Sequence, residues 1–177
     1  MLVFLDESSF DKRIRRRFGY SFRGTRAQIK RKHTNWGPRI TAIPAISTEG
    51  ILDVGIYRGK VNEGTFLTFV RNVLAPVLLP FNGENPRSIV VMDNAAIHHT
   101  DAVINAINQT GALILFLPPY SPDFNPCENL FSQTKSWIKE NDMIWRSCDF
   151  PENMVFEAFL NISDDNVRNC IRHAEYI

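Results

Sequence analysis

The sequence predicts an α/β domain: a mixed five-stranded sheet, its first three strands antiparallel and the rest parallel, flanked by helices. Three observations predict it. The chain opens on a continuous apolar run, Leu2 to Leu5, that stops abruptly at Asp6-Glu7-Ser8-Ser9, as a buried central strand stops. Two strand-like runs, Ile40 to Ile46 and Ile51 to Tyr57, are separated by Ser-Thr-Glu-Gly, a connection suited to an antiparallel hairpin. Helical and strand-like segments then alternate, the pattern of a βαβ passage with right-handed crossovers.

Each later element has its own signal. From Asn62, a good N-cap, Phe66, Phe69, Val70, Val73, Leu74 and Val77 mark one helical face, and Pro80 ends the pattern. Ile89 to Met92 reads as a second buried strand ending in Asp93-Asn94. Thr100 then caps a helix carrying Val103, Ile104 and Ile107 on one side, and Gly111 closes it. Ala112 to Leu117 is a third buried strand. After the loop Pro-Pro-Tyr-Ser-Pro-Asp-Phe, Asn125-Pro126 opens a helix running to about Asn141. A weaker helix near 151 to 161 and a polar tail complete the reading.

The 177 residues fit one domain, residues 1–177, and a chain of this size can bury roughly 70% of the surface its unfolded form exposes. Apolar content of 44% with 22% charged residues excludes the disordered and membrane-spanning classes. Cys127, Cys148 and Cys170 are odd in number and widely spaced, which argues against a disulfide framework or a zinc knuckle. The short opening apolar run lacks the form of a signal peptide. The expected setting is intracellular, the nucleus in a eukaryote, with no membrane partner.

A net charge of +1 conceals an asymmetry. Residues 11 to 39 hold eleven Lys and Arg against the single acid Asp11, while the remainder carries nine bases and eighteen acids. This basic insertion interleaves Phe18, Tyr20, Phe22 and Trp36 among its cations, and a short hairpin is one shape open to it. A solvated face is the bland reading of any charge run. Here phosphate attraction combined with planar stacking surfaces points to DNA, through Arg13, Arg15, Arg16, Arg17, Arg23, Arg26, Lys30, Arg31 and Lys32.

The chemistry rests on three acids. Asp6 and Asp93 follow buried strands, where side chains leave the carboxyl end of the sheet, the usual ligand edge of an α/β fold. Glu128 opens a helix. Brought together, the three would crowd negative charge that a hard cation neutralises, and Mg²⁺ with oxygen ligands suits such a cluster. Taken singly, each acid also has a structural role open to it: Asp6 and Asp93 in turns, Glu128 in a capping box with Asn125.

The segments Phe-Leu-Asp-Glu-Ser (4 to 8), Val-Val-Met-Asp-Asn-Ala-Ala-Ile-His-His (90 to 99) and Leu-Pro-Pro-Tyr-Ser-Pro-Asp-Phe-Asn-Pro-Cys-Glu-Asn (117 to 129) resemble the three motif blocks of the mariner-type DDE transposase superfamily, in the same order. Between Asp93 and Glu128 lie 34 residues, a spacing typical of one branch of that family. The resemblance spans residues 2 to about 140. It implies an RNase H-like fold, a catalytic and metal-binding triad of Asp6, Asp93 and Glu128, two Mg²⁺ ions for which Mn²⁺ can substitute, and cleavage and joining of DNA phosphodiesters. It also implies contact between the insertion and a second copy of the chain, a homodimer on DNA. Family members usually carry helix-turn-helix modules before the first catalytic strand. Here that strand begins at residue 2, so the chain reads as a catalytic core alone, with a truncated or domesticated, catalytically idle DNA-binding relic as the alternative.

Other candidates carry less. His98 and His99 read as exposed residues near a helix N-terminus, since no third ligand is spaced for zinc. Lys135, seven residues after Glu128 and so on nearly the same helical face, is a candidate DNA contact or a solvated lysine. A serine hydrolase is poorly supported, since Ser8 and Ser9 lack a Gly-x-Ser-x-Gly elbow and no histidine is placed by sequence to serve them. An RNase H acting on RNA:DNA hybrid shares the fold and metals and stays open.

Overall fold

In the computed structural model, which describes residues 1–16, 18–28, 37–119 and 121–177, the first strand is a single line of pairing broken in two. β1 (Leu2–Leu5) and β2 (Ser8–Phe10) both run antiparallel to β3 (Ile40–Ser47) in one register, Leu5 opposite Ala45 and Ser8 opposite Ala42. Continued across the gap, that register sets Asp6 opposite Pro44, which has no N–H to give a ladder. The chain loosens where the first acid stands.

β4 (Gly50–Arg58) pairs with the far side of β3 in an antiparallel hairpin. β5 (Ile89–Met92) lies parallel to β1, and β6 (Leu113–Phe116) parallel to β5. Across the sheet the order is β4, β3, β1 with β2, β5, β6. This is the expected mixed sheet, antiparallel through its first three positions and then parallel, with the first position split at Asp6–Glu7.

Helices cover both faces, and period two along the strands decides which residue meets which layer. Phe4, Ala42, Ile46 and Val91 face the core built with α3 (Pro126–Glu140), α4 (Asp142–Ser147), α5 (Pro151–Leu160) and α6 (Asp164–His173). Val3, Leu5, Ile43, Val90 and Met92 face α1 (Glu63–Phe69) and α2 (Asp101–Asn108). Each buried Phe or Leu in these layers contributes about 1.5–3 kcal/mol of transfer free energy.

Local chemistry sets the helix ends. Asn62 caps α1, its side chain accepting from Thr65 N, and the helical run continues to Val77 through a widened π turn at Val70–Leu74 and a 3₁₀ turn at Ala75–Val77. Pro76 accounts for the change of pitch, because its ring removes an α-helical hydrogen bond and crowds the carbonyl a turn earlier. Gly111, at φ +80°, ends the α2 region where any Cβ would collide with Pro80.

Two expectations are corrected. The polar tail is helical: Ser163 caps α6, and Val167, Cys170 and Ile171 reach the core at helical spacing from an otherwise charged stretch. The basic insertion forms no hairpin among its described residues, which show only tight turns such as Thr25 N to Phe22 O at 3.0 Å. Like-charged side chains and scattered glycines give two strands little to pair with. Among the described residues no helix is long and apolar enough to cross a membrane.

Candidate active site

Asp6 and Asp93 are lateral neighbours by register. β1 and β5 pair Leu2 with Ile89 and Phe4 with Val91, and continuing the same offset sets Asp6 beside Asp93, on strands about 4.8 Å apart. Phe4 and Val91, two residues before the acids, both face the α3 layer. The pleat therefore sends both carboxylates toward α3, whose first turn carries Glu128. All three acids line one cleft of about 420 Å³, walled also by Pro118, Pro119 and Pro122.

Asn125 joins two sides of this cleft. It is 3% exposed, and its Nδ2 donates to Asp6 Oδ2 at 3.1 Å and lies 3.4 Å from Leu5 O, while its Oδ1 accepts from Cys127 N to cap α3. The capping box open to Glu128 is not formed: the Asn125 N–H that it would need donates to Pro122 O at 2.9 Å. Glu128 stands exposed at the cleft. Cys127 beside it is fully buried and packs as an apolar side chain, burial pushing its thiol well up.

Electrostatics single out Asp6. Burial raises its pKa to about 7, opposed by a 2.7 Å hydrogen bond from Glu7 N and reinforced by the charges of Glu7, Asp93 and Glu128. Asp93 is held low instead, chiefly by a hydrogen bond from His98, and its Oδ1 also accepts from Ala95 N at 3.2 Å. Two adjacent carboxylates thus have opposite tendencies. The donors are all oxygens, and an anionic cleft whose most buried acid resists ionisation fits a hard divalent cation. Among the described residues no three His, Cys, Asp or Glu side chains are gathered at ligand distance as they stand.

His98 departs from its expectation of exposure. The chain turns back through a 3₁₀ turn at Ala96–His98 and buries the ring completely, with Nδ1 2.7 Å from Asp93 Oδ1 and Nε2 3.0 Å from Glu7 Oε1. Burial pulls its pKa down, but the hydrogen bonds and charges of Asp93 and Glu7 outweigh that and raise it to about 10. His99 is exposed as expected, stacked on Phe116. The residue missed with His98 was Glu7, which follows Asp6 in the gap between β1 and β2 and meets His98 only once β1 and β5 are paired.

The candidate DNA contacts divide. Arg15, Arg16, Arg23 and Arg26 are exposed, beside Phe18, Tyr20 and Phe22 at 88 to 99% exposure. Arg13 forks onto Asp11, with Nε at 2.8 and 2.9 Å from its oxygens. Lys135 is not solvated: its Nζ donates to Ser8 Oγ at 2.7 Å and lies 5.5 Å from the Phe10 ring centre, burial lowering its pKa. Arg17, Lys30, Arg31 and Lys32 lie outside the described residues, as does Trp36.

A sheet in this order, with two neighbouring acids at the ends of β1 and β5 and a third on the helix covering them, defines the RNase H-like class of domain. The DDE superfamily endonuclease family model matches residues 1–149, and the chain belongs to that family. Its structural neighbours include the Mos1 strand transfer complex, at 18% identity and TM-score 0.71 over 98% of this chain and 51% of that one. The Mos1 transposase catalytic domain solved with raltegravir and Mg superposes at TM-score 0.56 and 15% identity, over 98% of this chain and 80% of that one. A simian T-cell lymphotropic virus intasome gives TM-score 0.60 at 11% identity, over 91% and 47% of the two chains. The chain spans about half the length of the Mos1 chains in the strand transfer and paired-end complexes. No curated protein matches the sequence significantly.

Proposed function

We propose that the chain is the metal-dependent catalytic core of a DNA transposase, one domain over residues 1–177 with a basic insertion at 11–39, cleaving and joining DNA phosphodiesters. The observation that carries this reading is the single cleft lined by Asp6, Asp93 and Glu128, acids drawn from three separate segments. They would hold two Mg²⁺ ions, or Mn²⁺ in their place. Bound there, the metals would supply Lewis-acid stabilisation of the phosphate and a nucleophile active at neutral pH. Mos1 complexes solved with Mg and with Mn, and one with a left transposon end, support this choice of cofactor and partner.

The chain's own groups do the rest. Asn125 fixes the Asp6 carboxylate through Oδ2 and sets the start of α3 that carries Glu128. Pro118, Pro119 and Pro122 wall the cleft with backbone of restricted φ. Exposed Arg15, Arg16, Arg23 and Arg26 attract phosphates outside the cleft, and the paired-end geometry of the Mos1 complexes supports a homodimer on DNA.

Purified protein mixed with supercoiled plasmid is the test. Nicking is expected with Mg²⁺ or Mn²⁺, none with EDTA, and little cleavage of an RNA:DNA hybrid. No nicking with either metal would overturn the reading as an active enzyme and favour the idle DNA-binding relic; preferential hybrid cleavage would make the chain an RNase H.

A further inference from the structure

His98 is buried completely, yet both of its ring nitrogens face oxygen acceptors. Nδ1 lies 2.7 Å from Asp93 Oδ1 and 3.2 Å from the Asp93 main-chain oxygen, and Nε2 lies 3.0 Å from Glu7 Oε1. A neutral imidazole has one N–H, so it would turn a lone pair toward one of these carboxylates. The shorter contact is the one to Asp93, so Nδ1 is the nitrogen placed to donate to that carboxylate, while Glu7 closes the other end of the ring. The ring's place is fixed from below by Phe66 of α1, their centres 4.3 Å apart.

The consequence falls on Asp93. Its hydrogen bonds from His98 and from Ala95 N both land on Oδ1, which fixes the rotation of the carboxylate and leaves Oδ2 for the cleft. Glu7, directly after Asp6, anchors the far side of the ring, so the supports of Asp6 and Asp93 are joined through one imidazole. Metal-ligating carboxylates depend on such outer partners for orientation, and losing one typically costs 10–100-fold in metal affinity.

We infer that His98, braced by Glu7, is a positioning residue that holds the Asp93 carboxylate in its metal-binding orientation. This rests on the proposed role of Asp93 as a metal ligand. Asparagine at position 98 can keep a donor where Nδ1 stands, toward Asp93; glutamine can keep one where Nε2 stands, toward Glu7.

The experiment measures Mn²⁺ affinity calorimetrically on the full chain, alongside thermal unfolding in EDTA, for wild type, D93N, H98N, H98Q and E7A. H98Q is expected to weaken Mn²⁺ binding by about 10–100-fold. H98N should recover most of that loss, although both variants disturb the same buried pocket, and E7A should weaken binding less than H98Q. A purely structural histidine would lower both melting temperatures and leave the affinity within twofold of wild type; that result overturns the inference, as does equal loss in H98N and H98Q. If the position-98 variants do not fold, E7A decides: Glu7 is partly buried, lies outside both core clusters, and unchanged affinity there rejects the brace. The parent reading fails separately, if wild type does not bind Mn²⁺ or D93N binds it equally well.

Discussion

The carboxylate cleft and the basic insertion are held in opposite ways. Asp6 and Asp93 leave adjacent parallel strands, and their carboxylates are fixed by Asn125 and His98, themselves 3% and 0% exposed. In the insertion, Phe18, Tyr20 and Phe22 are 88 to 99% exposed, and Arg15, Arg16, Arg23 and Arg26 face solvent. One region is organised by the fold as it stands; the described aromatic and arginine side chains of the other lie open to solvent. Catalysis rewards the first arrangement, because preorganised charge needs no rearrangement during reaction. Attraction to a polyanion tolerates the second, since it depends on charge more than on exact placement.

The sharpest test of this division is Asp93→Asn. It should reduce nicking by about 10²–10³-fold or more, the scale for losing a preorganised charge-stabilising group, while DNA affinity measured by fluorescence anisotropy stays within about twofold. Equal loss of binding and cleavage would erase the distinction between the regions.

The reciprocal change neutralises Arg15, Arg16 and Arg17 together. If ~6 to 10 insertion cations meet phosphates, affinity of the wild type falls about 10³ to 10⁵ between 50 and 200 mM salt. The triple variant should flatten the log–log slope by about 2.7 units, at roughly 0.9 per contact, with metal affinity unchanged. Competition between a terminal-repeat duplex and scrambled DNA should reveal less than about a hundredfold preference, because phosphate contacts position without reading sequence.

A smaller effect belongs to Asn125→Ala, which removes both the α3 cap and the amide on Asp6. Loss of such a cap costs about 1–2 kcal/mol, readable by denaturant titration. Glu128 and Asp6 should both be disturbed, so the metal affinity should fall with the stability; a variant that only loses stability would make Asn125 a cap and nothing more.

The remaining test reads a pH slope in metal-free protein. Asp6 is raised from 3.8 to about 7, so the folded state keeps a proton that the unfolded state releases, and stability falls as pH rises across that window. His98, raised from 6.5 to about 10, contributes stability that is whole below 6.5 and lost as pH climbs toward 10. Asp93 and Asp11, both lowered, act oppositely and lose their contribution as pH falls through the acid range. Melting temperature against pH should therefore peak on the mildly acidic side. Asp6→Asn should flatten only the segment between about 4 and 7.

Strand signals, the long α3 and the three acids were legible because short apolar runs, an Asn-Pro helix start and the motif blocks are all local. The brace at His98 was not, since it depends on the register between β1 and β5, which no local pattern encodes. α6 escaped for a different reason: its three buried residues, Val167, Cys170 and Ile171, are outnumbered by charges, and the Ser163 cap carries the signal that composition hides. The split at Asp6 was written in Pro44, but only pairing with β3 reveals that the two face each other.

The Asn125 amide has a mechanical consequence. Through it the first turn of α3 is tied to the end of β1; through Glu7 and His98 the end of β1 is tied to the end of β5. The mounts therefore form a chain with Glu128 and Asp93 at its two ends, and among the described residues no hydrogen bond or ion pair joins those ends directly. Hydrogen bonds and ion pairs thus mount the three acids in series, with Asp6 in the middle, while the apolar core beneath packs α3 against β1 and β5 together.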